Sequence, residues 1–561
     1  MTIEELKHLR ESEDKIEFKA AEHNFDWNGG SHSDQKNRRK CFLGYIVALA
    51  NEGGGYLVLG MADDLPHAVV GSDFAEGEVG NLENAVYEHL GVRVHVDELY
   101  EHGKRVVLTT IPSRPVGRMM KFEGVALMRT GESLRNMTDE EMLKILLEQE
   151  PDFSAKICPG LTLSDIDQTA INTLKDKYAR KQGNEAFRQL TTEQVLRDLR
   201  LMTDAGITCA ALILIGKKEA IVEKLPNAQV NIEYRNSLSK TEFDNRTLVI
   251  EPLFIGIDQI WSDINARNGS TKFSEGPYRF ELPYFNEDVI REAVLNAIAH
   301  RDYTINSETV IKQYPTNISI INAGGFPKGV TKENLISVSS TPRSRLLTEI
   351  LEKTGLVERS GQGVDKIYRI TLSEGKPWPD YSKTDLYQVE LTINGDVEDK
   401  AFAAFIEEAQ KKRSEKNKLG TLDIVGLKQV KDGKRELVDD GVIQKLEEND
   451  LIKRSGGNAS DSYVLGEGYY KVGSMPSEIS GFRIIDIKRI LSAFDDKEAC
   501  KMSDFVSALE EDLNRGQVKY LVEKLMVKGV LKKSGEGQGT SYVLPKGIKD
   551  INALEEILSN E

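Results

Sequence analysis

Apolar and polar positions alternate along this chain with several distinct periods, and each period predicts a different element. At R-E-A-V-L-N-A-I-A-H-R-D-Y, residues 291–303, the period is helical. Ile290, Ala293, Val294, Ala297 and Ile298 make an apolar face, and Glu292, Asn296 and His300 form a polar stripe beside it at every fourth position. Three polar groups aimed into one space need partners, because an unpaired buried polar group costs free energy. Either other side chains or a ligand must satisfy them. Near the N-terminus, Ile16, Phe18 and Ala20 alternate with Lys15, Glu17 and Lys19, the pattern of a half-buried strand. A backward extension of that strand would put Glu11 and Glu13 on the face of Glu17. After K-N-R-R-K at 36–40 comes a helix-like apolar stretch to Ala50, then N-E-G-G-G-Y-L-V-L-G-M-A-D-D at 51–64. Its glycines precede the strand Y-L-V-L-G, so it is not the strand, glycines, helix order of a dinucleotide fingerprint.

Further along, D-A-G-I-T-C-A-A-L-I-L-I-G-K at 204–217 reads as a strand-like run bounded by turn signals. N-I-S-I-I-N at 317–322 predicts a strand that turns at A-G-G-F-P. V-E-R-S-G-Q-G-V-D-K-I at 357–367 sets two glycines just before a helix, an arrangement by which backbone N–H groups and a helix N-terminus cradle phosphate.

The C-terminal part repeats itself. I-Q-K-L-E-E-N-D-L-I-K-R-S-G-G-N-A-S-D-S-Y-V-L at 443–465 returns as V-E-K-L-M-V-K-G-V-L-K-K-S-G-E-G-Q-G-T-S-Y-V-L at 522–544, offset by 79 without a gap. A duplicated supersecondary unit is the natural explanation. In the second copy Val518, Leu521, Val522, Leu525 and Met526 mark an amphipathic helix, and Gly529 stands where a helix end favours positive φ. Two short strands follow, joined by G-E-G-Q-G. A helix ending in a β-hairpin resembles the winged helix-turn-helix, whose second helix reads the DNA major groove. Lys519, Lys524, Lys528, Lys532 and Lys533 supply positive charge there, and a protein-contact role is the alternative. K-K-R-S-E-K-N-K at 411–418 reads as a solvated connection.

Composition bounds the reading. A chain of 561 residues has room for about three to five domains. It is 39% hydrophobic and 29% charged, the balance of a soluble globular protein. The charged first residues contain no secretory h-region, and the longest apolar run, C-A-A-L-I-L-I at 209–215, is too short to span a bilayer. Cys41, Cys158, Cys209 and Cys500 are scattered singly, which fits a reduced cytoplasm and excludes a Cys-rich zinc site. A net charge of −16 argues against a protein that simply coats nucleic acid, while leaving room for local basic faces.

Two family resemblances sharpen these expectations. E-S-E-D-K-I-E-F-K, A-L-A-N-E-G-G-G-Y-L-V-L-G-M-A-D-D and V-V-G-S-D resemble the Schlafen-type AlbA-like domain of bacterial proteins over roughly residues 8–145. That resemblance implies a nucleic-acid-engaging domain and, in Schlafen nucleases, carboxylates that hold Mg²⁺ or Mn²⁺ and cut RNA. Glu17 and Asp63 match the family pattern. Ser12 occupies the place of the remaining acid, with Glu11 and Glu13 on either side, and a surface ion pair of Glu17 with Lys19 or Lys121 is the alternative. Lys36, Arg38 and Arg39 are basic candidates for nucleic-acid contact in the same domain.

The middle segments resemble the gyrase, histidine-kinase and MutL (GHKL) ATPase superfamily in the divergent form found beside Schlafen-type domains. By that resemblance Glu292 is the general base on the attacking water, and Asn296 ligates the Mg²⁺ that bridges the phosphates of ATP. Asn322 stands where the superfamily has an Asp for the adenine amino group. Gly324 and Gly325 allow a close approach of the turn, and Gly361 and Gly363 face the phosphates. His300 and Arg301 read mainly as structural. Asn322 carries no charge, and Ala323 replaces a proline often found in the family's turn.

The expected architecture is a multidomain α+β and α/β chain. It comprises a Schlafen-like domain (1–150), a helical linker (151–199), a GHKL-like ATP-binding α/β sandwich with a preceding α/β segment (200–397), and two winged helices (398–475 and 476–561). The expected function is an ATP-binding, nucleic-acid-acting cytoplasmic protein: a Schlafen-type metal-dependent nuclease gated by nucleotide or nucleic acid, of the anti-phage defence type. The alternative is an ATP-responsive winged-helix transcriptional regulator. The expected partners are DNA or RNA, tRNA included, and a second copy of the chain, with no membrane.

Overall fold

A computed structural model describes the chain apart from residues 12–14, 31–33, 131–132, 149–150, 276–277, 339–341, 358–361, 415–416, 455–462, 467, 470–477, 480–481, 496, 510–512, 514, 536–539 and 546–561. The first unit contains α1 (Ile3–Leu6), β1 (Ile16–Lys19), α2 (Gln35–Arg39), α3 (Phe42–Asn51), β2 (Gly55–Leu59) and α4 (Val79–Leu90). It continues with β3 (His95–Glu101), β4 (Lys104–Ile111), β5 (Leu127–Thr130), β6 (Ser133–Asn136) and α5 (Asp139–Leu147). Four strands form a mixed sheet in the order β1-β2-β4-β3, with β1 parallel to β2 and the other pairs antiparallel. Successive strand side chains point to opposite faces. Leu57, Leu59 and Val107 therefore join the cluster around the wholly buried α3, while Ile16, Phe18, Val58 and Val106 join a second cluster with Ile3 and Leu6.

The sheet is thus covered on both sides, and the half-buried strand expected at 14–20 is buried on both faces. Glu17 is 0% exposed. The strand begins only at Ile16, so it does not extend back to align Glu11 with Glu17. Glu11 lies in a turn, and Glu13 falls outside the described residues.

Next come α6 (Gln168–Gln182), α7 (Thr192–Asp198), the short pair β7 (Met202–Thr203) and β8 (Gly206–Ile207), α8 (Cys209–Ile215) and α9 (Lys218–Lys224). The strand expected at 209–215 is a helix. Thr208 caps it by accepting a hydrogen bond from the Ala211 amide at 3.3 Å, and all seven of its residues are buried. A seven-residue apolar run has no period that separates buried helix from buried strand.

The third unit contains β9 (Val230–Tyr234), β10 (Asn245–Val249), α10 (Leu253–Asn265), β11 (Ser270–Glu275), β12 (Tyr278–Pro283) and α11 (Glu287–His300). After these come β13 (Thr309–Gln313), β14 (Asn317–Ala323), α12 (Arg345–Lys353), α13 (Gln362–Ser373) and β15 (Gln388–Asn394). Its five-stranded sheet runs β10-β9-β13-β14-β15, antiparallel except between β9 and β13. α11 packs against β14, α10 and α13.

The last part contains α14 (Lys400–Lys411), α15 (Thr421–Lys431), α16 (Asp440–Glu448), β16 (Ile452–Arg454) and β17 (Tyr463–Leu465). It then runs through β18 (Glu478–Ile479), β19 (Phe482–Arg483), α17 (Ile484–Ser492), α18 (Met502–Leu509), α19 (Arg515–Val527), β20 (Lys532–Ser534) and β21 (Ser541–Val543). The duplication is visible in register. Lys453 pairs with Val464, and 79 positions later Lys532 pairs with Val543. The residue that ends each repeated helix has positive φ, Asp450 at 55° and Gly529 at 75°. Aspartate is one of the few side chains that tolerate this region. The repeat also reaches further upstream than the sequence similarity, because α15 moved by 79 overlies α18.

Candidate functional site

The polar stripe of α11 faces a cavity of about 140 Å³. Asn286 starts the helix by accepting a hydrogen bond from the Asp288 amide at 3.0 Å, which fixes the helical phase that aims the stripe. Glu292, Asn296 and His300 line one wall, and Asn322 with Ile320 of β14 and Leu391 of β15 lines another. The turn Gly325–Pro327, Thr348 and Glu352 of α12, and Gly363 of α13 complete it. Glu292 is 3% exposed and Asn322 4%. The Asn296 Nδ2 atom is buried with no hydrogen-bond partner among the described residues. Leaving such a group unpaired costs about 1–3 kcal/mol, so an orphaned donor in the wall of a mostly apolar cavity is suited to a ligand.

The glycines have specific neighbours. Gly363 lies in the first turn of α13, and a Cβ there would overlap Glu292 Oε1, sit 2.9 Å from Glu292 Cδ and lie 3.2 Å from Asn296 Nδ2. It therefore permits α13 to rest on the polar stripe. Gly324 has φ +86°, and a Cβ there would overlap Arg343 Nη1; a Cβ on Gly325 would overlap the Asp385 carbonyl oxygen. Close packing against protein thus accounts for both, and of the two only Gly325 lines the cavity. Gly361 lies outside the described residues.

His300 is half-buried and lines the cavity. Burial, and secondarily the charge of Arg343, holds its pKa down to about 4, so the ring is neutral at pH 7. Arg343 donates to the His300 carbonyl at 2.9 Å and to the Gly325 carbonyl at 3.2 Å, tying the stripe to the turn. Arg301 points away and is structural. Its guanidinium donates to the carbonyls of Asn227 and Ser307 and lies 4.6 Å over the Tyr303 ring.

The N-terminal acids do converge, but on a lysine. Lys19 Nζ lies 3.0 Å from Glu17 Oε1 and 3.1 Å from Asp63 Oδ2. The contact with Glu17 leaves that oxygen without a directed hydrogen bond. Arg129 Nη1 donates to Glu17 Oε2 at 2.9 Å, while its other nitrogens clamp Glu52 Oε2 at 2.8 and 2.9 Å. Burial pushes the Glu17 carboxyl up, opposed by Lys19; burial also opposes the Lys19 ammonium most strongly, but the charges of Glu17 and Tyr45 and the contacts with Glu17 and Asp63 together outweigh it and raise the lysine. Two cations on one carboxylate favour the charged pair. Glu11 accepts from the Phe18 amide at 2.6 Å, a backbone role. Lys19 and Arg129 occupy the space beside both oxygens of Glu17, so the residues as placed do not fit a divalent metal. Among the described residues no group of three His, Cys, Asp or Glu side chains is arranged to hold one.

Of the basic candidates on α2, Lys36 is exposed, whereas Arg38 pairs with Glu123 at 2.5 Å and Arg39 is buried, reaching Asn136 at 3.4 Å. Lys519, Lys524 and Lys528 lie on or just beyond α19, with Lys519 exposed and Lys524 5.1 Å over the Tyr520 ring. Sequence reasoning missed Arg129, Arg343 and Glu352, whose roles depend on contacts over 43 to 112 positions or on a shared cavity wall.

Comparison with known proteins adds a decisive observation: residues 13–138 match the family model Schlafen, AlbA_2. The N-terminal unit is a Schlafen AlbA-like domain. An ATPase-like domain lies further along the chain, since residues 306–393 match the model described as putative ATP-dependent DNA helicase recG C-terminal. That match holds Asn322, Gly324, Gly325 and Gly363 but begins after Glu292 and Asn296. Residues 134–231 match a domain of unknown function, DUF8451, which spans the whole segment expected as a linker. The crystal structure of the DIP2311 protein from Corynebacterium diphtheriae is similar over 96% of this chain and 96% of its own, at 18% identity and a TM-score of 0.48. No curated protein matches the chain. No helix among the described residues is long and apolar enough to cross a membrane. The two recognised domain types are those of an ATP-associated, nucleic-acid-related protein.

Proposed function

We propose that this Schlafen protein is an ATP-responsive nucleic-acid-binding regulator, with Mg-ATP held in the cavity between α11, β14 and α13. The observation that carries this reading is the unpartnered Asn296 amide beside the buried Glu292, both against the first turn of α13. The donor set fits the group. Asn296 would hold the magnesium ion through its Oδ1 oxygen and donate its unpartnered Nδ2 to a phosphate oxygen, and Asn322 would face the base. The first turn of α13 at Gly363 would offer backbone N–H groups to phosphate. The bound ion would supply charge neutralisation at the phosphates. Glu292, buried and adjacent, would orient an attacking water and take its proton. In this reading the five-stranded sheet with α10, α11 and α13 is a GHKL-type sandwich, and the two C-terminal units are winged helices that bind nucleic acid.

A metal-dependent nuclease, as in anti-phage defence, is the second reading. The convergence of Glu17 and Asp63 on a single cation supports it. That cation is Lys19, so in this arrangement the two acids are already neutralised by the protein itself.

Isothermal titration with Mg-ATP, beside a phosphate-release assay, tests the proposal. Asn296→Ala should weaken binding at least tenfold, while Glu292→Ala should bind normally and release no phosphate. A folded Asn296→Ala protein with unchanged affinity would falsify the assignment.

A further inference from the structure

The two C-terminal repeats share a backbone but not a charge. In the window 515–528, which covers α19, Arg515, Lys519, Lys524 and Lys528 stand against one acid, Glu523. In the equivalent window 436–449, which covers α16, Glu436, Asp439, Asp440, Glu447 and Glu448 stand against one cation, Lys445. That lysine is occupied as well, since its Nζ bonds Asp423 at 2.6 and 2.8 Å. The hairpins differ in the same direction. Lys532 and Lys533 are exposed on β20, whereas Arg454 of β16 folds back onto the Tyr463 hydroxyl at 3.1 Å.

Their surroundings differ too. In the first repeat α15 packs along α13, and Thr421 donates to the Asp365 carbonyl at 3.3 Å. Asp432 accepts from the Trp378 indole at 3.0 Å, and Lys431 pairs with Asp399 at 2.6 Å. The face of α19 is covered by nothing comparable among the described residues. Tyr520 is 61% exposed and Val527 87%.

We infer that the repeats have divided their labour. α19 of the second repeat lies on the phosphate backbone of duplex DNA, and the first repeat is a docking module held on α13 that takes no nucleic acid. This rests on the reading of these units as nucleic-acid-binding winged helices and specifies which of them binds. The choice of duplex follows from shape, because a major groove admits an α-helix flanked by a strand pair. The five acids of the first window, three of them on α16, would meet phosphates with like charge, at about 1 kcal/mol for a close pair even in bulk water. The four cations of the second window instead release counterions from DNA, which lowers the slope of log K against log salt by about 0.9 for each phosphate neutralised.

The test uses the full chain and a labelled 30-base-pair duplex, with affinity followed over a salt series. Gln keeps helix propensity close to that of Lys, so Lys519→Gln/Lys524→Gln/Lys528→Gln should fold normally and flatten the slope by about 2.7 at 0.9 per contact. Asp440→Asn/Glu447→Gln/Glu448→Gln in α16 should leave slope and affinity unchanged. Wild-type binding whose slope survives the triple lysine change overturns the division alone. Tighter or more steeply salt-dependent binding by the α16 variant shows that α16 also meets DNA and overturns it too. A wild-type chain that shifts no duplex at low salt overturns both this inference and the winged-helix reading beneath it.

Discussion

Gly363→Ala isolates the contact on which the nucleotide reading depends. Gly363 is within α13 and is not among the glycines with positive φ, so its backbone accepts alanine without strain. Alanine is favoured over glycine in a helix by up to about 1 kcal/mol. Against this, the new Cβ overlaps Glu292 Oε1 and lies 2.9 Å from Cδ, so the carboxylate must turn aside. Forcing a side chain off its rotamer costs about 0.5–1.5 kcal/mol. The two terms nearly cancel, and the melting temperature should move by no more than a few degrees. Turnover has no such compensation. A displacement of about 1 Å in a reacting group costs roughly 100-fold, equivalent to about 2.7 kcal/mol of barrier. Single-turnover phosphate release should therefore fall about 100-fold in a variant that melts normally. In a Glu292→Ala background, which has no turnover to lose, the same alanine should raise the melting temperature, because the clashing carboxylate is gone and the gain in helix propensity remains; that non-additivity in stability is the signature of direct contact. Wild-type turnover by Gly363→Ala, or equal shifts in melting temperature in both backgrounds, would refute the placement of Glu292 as base.

Other expectations follow from the same geometry. His300 has its folded pKa depressed to about 4 from an ordinary value near 6.5, so its contribution is fully present above pH 6.5 and is lost as the pH falls towards 4. The loss is at most about 3 kcal/mol, and His300→Gln should remove that slope from chemical denaturation measured between pH 7 and pH 4. Glu17→Gln leaves Lys19 and Arg129 facing a neutral amide, and breaking a buried pair costs about 3–5 kcal/mol. Thermal melts should show destabilisation of several degrees with no rescue by Mn²⁺, whereas a metal site would show stability unchanged or higher. Arg118→Ala removes a donor from the turn that lines the cavity, so calorimetry should show weaker Mg-ATP binding although Arg118 lies outside the lining.

What could be read from sequence was set by the range of the interactions involved. α11 was legible because its apolar face and its polar stripe both keep helical spacing from Ile290 to His300. The repeat was legible where identity persists, across the last helix and hairpin. The earlier helices keep only their apolar spacing, so their equivalence appears in space alone. α8 was misread because seven apolar residues fit either element. The burial of Glu17 was hidden because the cover on the far side of the sheet comes from Ile3 and Leu6, and its second cation comes from Arg129, 112 positions away. Gly363 was found by its place at a helix start, which suggested phosphate; its packing against Glu292 is a further contact that no local pattern encodes.

The walls of the cavity are also the joints between units, which decides how far the effect of an occupant must spread. Phe326 and Pro327 line the cavity, and their carbonyls accept from Arg118 of the Schlafen domain at 2.9 and 3.3 Å. Lys328 beside them donates to the Leu146 carbonyl at 2.6 Å. At the entry to β15, Asp385 receives Arg93 Nε and Nη2 at 2.9 and 2.8 Å and the Tyr87 hydroxyl at 3.0 Å. Asp385 is 7% exposed, so this cluster is less screened than a surface pair, although Arg93 is half in solvent. On the opposite wall α13 touches Glu292 at its first turn and carries α15 of the first repeat along its flank. A ligand that fits the cavity without moving the turn or α13 transmits nothing, however tightly it binds. One that displaces either must break or reset contacts belonging to the Schlafen domain or the repeat, and its binding free energy is then shared with those joints. Coupling therefore depends on differential contact at Phe326, Pro327 and Gly363 rather than on affinity.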